Sequence, residues 1–115
     1  MSKQNECEIT VLTTTAPTEE VARRLAQAAL NAKVAVCVQV EPITSHYWWR
    51  GDLCEEVEQR LTIKTLEPAL GRLQALLEAE HPYQVPQLTT IKMIASRAYY
   101  TWAKGEIDPE LLKDA

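Results

Sequence analysis

Hydrophobic positions in this chain recur with two periods, and the changes between them mark out its elements. In residues 7–17, CEITVLTTTAP, Ile9 and Val11 alternate with Glu8 and Thr10, the period-two signal of a strand, and Pro17 ends it. Thr18 then stands where a helix cap is wanted, with Glu19 and Glu20 well placed in the positively polarised first turn. Val21, Ala22, Leu25, Ala28, Ala29 and Ala32 follow on one helical face, while Arg23, Arg24 and Gln27 lie outside it. That spacing predicts a helix of about fifteen residues.

Residues 34–65 carry two arms rich in Val, Ile, Thr and aromatic residues, with Arg50-Gly51 midway between them. This predicts a long antiparallel hairpin turning on those two residues, with Trp49 opposite Asp52 and every opposing pair of numbers summing to one value. The register places Val40 opposite Leu61, Val38 opposite Ile63 and Val36 opposite Thr65 on one face. The other face pairs Glu41 with Arg60, Gln39 with Thr62 and Cys37 with Lys64. Apolar meets apolar and acid meets base, whereas a one-residue slip would turn the valines to the wrong side. Pro42 lacks an N–H for the ladder and points to a bulge there.

After Thr65 and Glu67, Pro68 suits a first helical turn, and Leu70, Leu73, Leu76 and Leu77 give a second amphipathic helix. Pro82 disfavours helical geometry at His81, so the helix ends there, and Pro86 keeps the link extended. QLTTIKMI, residues 87–94, reads as a strand, and a short last helix opens at Ser96. The tail DPELLKDA either frays or adds one turn. The order is β-α-β-β-α-β with a short C-terminal helix: an α+β, ferredoxin-like split βαβ sandwich, one domain over residues 1–115. Both main helices are expected on the valine face. The face with Cys37, Gln39, Glu41, Arg60, Thr62 and Lys64 is left uncovered, a natural oligomer surface.

Composition narrows the class. With 46% hydrophobic and 24% charged residues the chain is an ordinary globule rather than a disordered segment. A net charge of −4 and scattered basic residues argue against a nucleic-acid partner. There is neither a basic start with an apolar h-region nor an apolar run near the roughly 20 residues of a membrane helix, so no membrane partner and a cytoplasmic location are expected. Cys7, Cys37 and Cys54 form no C-x-x-C pair, and in a reducing compartment they are free thiols. The hairpin register separates Cys37 from Cys54 by roughly 30 Å, too far for a shared disulfide or metal. No P-loop, dinucleotide fingerprint or G-x-S-x-G is present, and Glu58 and Lys64 lie roughly 20 Å apart on their strand, so an enzyme is not expected.

Five motifs in order, AVCVQV, SHYWWRG, EQRLTIKT, HPYQVP and YYTW, resemble those of the CutA divalent-cation tolerance proteins. The matching residues are Cys37; Ser45, Tyr47, Trp49 and Gly51; Glu58, Leu61, Ile63, Lys64 and Thr65; His81, Pro82, Tyr83 and Pro86; and Tyr99 with Trp102. The resemblance spans residues 8 to 103. It implies a ferredoxin-like fold assembled as a tight, PII-like homotrimer whose long hairpins swap contacts between subunits. It also implies a link to tolerance of copper and other divalent ions. Gln87, Gln39 and Ala95 depart from the family pattern, and Gln87 removes the carboxylate that usually follows the second proline of the histidine motif.

Carried over from that resemblance, Cys37 and His81 are the metal-ligand candidates, for copper or another divalent cation, because thiolate and imidazole suit such ions. Their spacing requires a site assembled in three dimensions, between subunits. Cys37 also reads as a small packing residue on the sheet, and His81 as a helix-terminal residue whose ring is favourable near the carbonyl end. Glu58, Lys64, Tyr83 and Trp102 are the candidate ligand cleft. There a regulatory trimer would take a small anionic ligand, through the positive charge of Lys64, or a protein partner.

Overall fold

The computed structural model describes residues 7–113; residues 1–6 and 114–115 of the expected domain and tail lie outside the described residues. The elements are β1 (Glu8–Ala16), α1 (Glu19–Asn31), β2 (Cys37–Trp49), β3 (Asp52–Thr65), α2 (Glu67–Glu80), β4 (Thr89–Ile94), α3 (Arg97–Glu106) and α4 (Pro109–Leu112). All strand pairs are antiparallel, in the order β2-β3-β1-β4, which is the ferredoxin-like arrangement.

The hairpin keeps its expected register from Trp49↔Asp52 to Cys37↔Lys64. Arg50 and Gly51 have φ values of 51° and 85°, so both central residues occupy the left-handed region that a twist-compatible two-residue turn demands. Glu41 and Arg60 form the cross-strand ion pair, Nε to Oε1 3.0 Å. Two details differ from expectation. Pairing runs through Pro42↔Gln59 without a bulge. Counting back from the closing pair of the turn, even positions of β2 direct their backbone nitrogen away from β3, and β2 is an edge strand, so proline costs no ladder bond. The ladder also stops at Cys37. Val36 N–H donates to the Lys64 carbonyl (2.9 Å) and the Thr65 hydroxyl to the Val34 carbonyl (2.7 Å), which replaces the expected Val36–Thr65 pair.

Helices α1 and α2 cover the face carrying Leu12, Leu61 and Ile63. Leu25 of α1 and Leu73 and Leu77 of α2 pack there with Ala22, Ala29 and Ala69, whose small side chains let the helices sit close to the sheet. Thr18 caps α1 by accepting the Val21 N–H at 3.1 Å. At 13 residues α1 is slightly shorter than expected. Val40, expected in this core, is 44% exposed because it lies on the outermost strand beyond the helices.

The opposite face is not bare. Ile9 and Val11 are buried on it, and α3, opened by Ser96 accepting the Tyr99 N–H at 3.2 Å, brings Tyr99 within 5.7 Å of the Lys64 amine. The tail adds a turn, α4, capped by Asp108 accepting the Glu110 N–H.

The β1–β3 pairing ends at Ala16↔Gln59, so the ribbon from Ile43 to Glu58 projects beyond the three-stranded part and draws the long axis out to 48 Å. Core truncations should therefore differ sharply along the sheet. Leu61→Ala is expected to lower urea-unfolding stability by about 2–5 kcal/mol. Its cross-strand neighbour Val40→Ala is expected to cost under about 1 kcal/mol, and equal losses would contradict this core boundary.

Candidate functional site

Pro82 sets up the site. It forces His81 out of the helix to φ −77°, ψ 134°, while the His81 N–H still donates to Leu77 (2.9 Å). The segment from residue 81 to 87 then rounds the end of β1, from the helix face to the face below. The His81 Nε2 lies 2.8 Å from the Thr15 carbonyl and 3.3 Å from the Thr14 hydroxyl. Its Nδ1 accepts the Tyr83 N–H at 3.2 Å. A carbonyl only accepts and an amide N–H only donates, so the proton sits on Nε2 and both ring nitrogens are engaged. Burial lowers the His81 pKa below its usual 6.5, and Arg24 acts in the same direction; the Thr15 bond and Glu58 oppose them without reversing the shift. The ring is neutral at pH 7.

Tyr83 packs its ring against His81, centroids 4.9 Å apart, and donates its hydroxyl to Glu58 Oε2 at 2.5 Å. Glu58 is only 7% exposed, and Arg60, the nearest basic residue on its strand, is held by Glu41. A second phenol–carboxylate pair stands beside it, with the Tyr47 hydroxyl donating to Glu56 Oε1 at 2.8 Å. Burial and then the Glu58 bond raise the Tyr83 pKa well above the ordinary phenol range, and the bond to Glu56 pushes Tyr47 up to about 12. Both phenols remain donors at any physiological pH. From the ribbon tip, Arg50 Nη2 donates to Gln84 Oε1 at 2.9 Å. Ribbon and turn flank an open cavity of about 630 Å³ walled by Thr15, Tyr47, Trp49, Glu56, Glu58 and Tyr83 among others.

The residues expected at a site fall into two groups. Glu58, Tyr83 and His81 come together at the ribbon end of the sheet. Lys64 and Trp102 meet through Tyr99 at the other, with the Lys64 amine 5.7 Å and the Trp102 ring 5.3 Å from the Tyr99 ring. Six positions of β3, roughly 20 Å, separate Glu58 from Lys64. Cys37 lies opposite Lys64, whereas His81 sits at Thr15, which pairs with Arg60. The two ligand candidates are thus offset by four residues of strand, roughly 13 Å, besides the intervening strands. Among the described residues no three His, Cys, Asp or Glu side chains converge as a metal site. Gln87 donates its amide Nε2 to the Thr89 hydroxyl at 3.0 Å.

Thr15, the Tyr47–Glu56 pair and the Arg50–Gln84 tie were not singled out from the sequence. The hairpin register contains the signal for one of them, because Ser45↔Glu56 and Tyr47↔Cys54 put Tyr47 and Glu56 diagonally on one face. The other two depend on how the 81–87 segment crosses the sheet end.

The sequence profile of the CutA1 divalent ion tolerance protein matches residues 10–106. The chain belongs to this family. The divalent-cation tolerance protein CutA of Thermus thermophilus is 36% identical over 96 residues, which cover 82% of this chain and 93% of that protein. Among solved structures, CutA from Synechococcus elongatus superposes with a TM-score of 0.84 at 39% identity, covering 89% of this chain and 92% of that one. The periplasmic divalent cation tolerance protein CutA of Archaeoglobus fulgidus superposes with a TM-score of 0.84 at 27% identity, covering 87% and 99%. This CutA-family chain has, among its described residues, no helix long and apolar enough to cross a membrane.

Two measurements test the site geometry. The folded His81 takes up its proton at lower pH than the unfolded residue, whose value is near 6.5. Its contribution to stability is therefore complete above that value and is lost as pH falls through the folded one. Urea unfolding should show this acid-side loss, and His81→Gln should flatten it. Tyr83→Phe leaves a buried carboxylate without its donor and is expected to cost about 1–3 kcal/mol; an unchanged midpoint would remove the Tyr83–Glu58 bond from the account.

Proposed function

We propose that this chain acts in divalent-cation tolerance as a PII-like homotrimer, binding copper or another divalent cation at or near its subunit interfaces. One observation carries the reading: the soft donors Cys37 and His81 are well apart within a single chain, while the ribbon offers a surface for sister chains. Trp48, Leu53 and Val57 share one face of the ribbon at 71%, 69% and 69% exposure, and β2 and β4 each have one unpaired edge. Exposed aromatic and aliphatic patches beside free strand edges are the features that interfaces bury. The likeness to the divalent-cation tolerance proteins of Thermus thermophilus and Archaeoglobus fulgidus supports the cation-tolerance part of the reading.

A metal at His81 must displace the Tyr83 N–H from Nδ1 or the Thr15 carbonyl from Nε2, so binding there competes with the turn. An anionic ligand is the weaker reading, because Lys64, its intended positive charge, stands with Tyr99 at the far end of the sheet from Tyr83. The role is binding rather than catalysis, and three unpaired cysteines fit a cytosolic setting.

Light scattering at micromolar concentration is expected to give three times the chain mass; a monomer would remove the interface site. Copper titration by calorimetry should weaken at least about tenfold in Cys37→Ala and in His81→Ala. Unaltered binding in both would discard these ligands.

A further inference from the structure

The cavity between ribbon and turn has features that a metal-ion site does not require. Glu58 is nine-tenths buried, and Tyr83 occupies only its Oε2. No sealed side-chain oxygen among the described residues lacks a partner, so the second Glu58 oxygen, which has none among those residues, is accessible, and Glu58 lines the cavity. Glu56, two positions along the same strand face, lines the cavity too and likewise commits one oxygen, to Tyr47. Two carboxylates therefore line the space from backbone positions about 7 Å apart along β3. Tyr47, Tyr83 and Trp49 supply the walls, and the side chains lining the cavity include no lysine or arginine.

A basic group does reach the rim. The Arg50 guanidinium stands 5.3 Å from the centre of the Trp49 ring while its Nη2 binds Gln84. The protein's own organic cation thus rests on the aromatic wall of an acidic cavity, an attraction that comes from the negative face of the ring. A volume of about 630 Å³ lies in the range of small-molecule pockets.

We propose that this cavity binds a small organic cation of the alkyl diammonium class, one ammonium on Glu58 and the other on Glu56, its methylene chain along Tyr47 and Trp49, with Arg50 as a competing rim cation. A four-carbon diamine spans a distance comparable to the separation of the two carboxylates. Aromatic walls suit its stem, which a hydrated metal ion lacks. The site lies within one chain and uses neither Cys37 nor Lys64; it meets the interfacial metal reading only through Tyr83, whose N–H binds His81 Nδ1.

Calorimetry of the full chain at physiological salt, with 1,4-diaminobutane and with n-butylamine as probes, tests the assignment. The diamine is expected to bind at least about tenfold more tightly than the monoamine. Glu56→Gln, at an exposed position, should bring the diamine down to the level of the monoamine. Glu58→Gln should abolish binding of both. Arg50→Asn, which suits the positive φ of the turn, should tighten the diamine several-fold. Absence of heat at millimolar diamine overturns the proposal, as does equal affinity of the two amines that Glu56→Gln leaves unchanged. Copper titrated in parallel separates the two readings: loss of diamine binding with copper binding intact sinks this site alone, and the converse result sinks only the interfacial metal.

Discussion

The two-residue turn at Arg50-Gly51 is the constraint on which the rest of this architecture depends. Both residues have positive φ, and that geometry makes Trp49 oppose Asp52 and thereby dictates every pair down to Cys37↔Lys64. Side chains alternate across a sheet with a period of two, so the same turn decides that Leu61 and Ile63 face the helices while Glu56, Glu58 and Lys64 face away. A different turn length would exchange the core and the site. The hydrophobic contacts of Leu12, Leu25, Leu73 and Leu77 supply the driving force, but they can act only on the register that the turn allows.

Against that frame, the polar features at the ribbon end are consequences of position. Pro82 stops α2 where His81 can reach the end of β1, and the engaged imidazole then holds Tyr83 over Glu58. A nearly buried carboxylate without a cationic partner is costly unless its hydrogen bonds are good. The short bond from Tyr83 answers that need and also leaves the second oxygen accessible. The polar groups of this face are divided along the sheet, with Glu56 and Glu58 at the ribbon end and Cys37, opposite Lys64, at the other.

Much of the fold was legible because its signals are local. Alternation in the two hairpin arms, a cap at Thr18 and the proline at position 82 each act within a few residues. The Glu41–Arg60 pair follows from simple arithmetic about the turn. What escaped depends on the third dimension. Pro42 reads as a defect from residue type alone, whereas what decides its cost is the direction of its nitrogen, away from β3. Val40 looked like core because alternation reports the face of a strand and not how far the helices extend over it. The burial of Val11 beneath the polar hairpin face depends on where a terminal helix settles. The site divides the same way: the Tyr83–Glu58 pair joined residues already singled out, whereas the Arg50–Gln84 tie needed the path of a loop that no periodicity describes.

Strand order has a bearing on how the molecule is made. β1 lies between β3 and β4, and Thr10 touches Lys92, 82 residues further along the chain. On the ribosome, β1 must remain incompletely paired until β4 has emerged, since loop closure has to precede its last ladder. The early α1 and hairpin offer it partial shelter in the interval. A nascent chain of this kind keeps one edge of an inner strand open until β4 docks, so its aggregation hazard is concentrated in that interval.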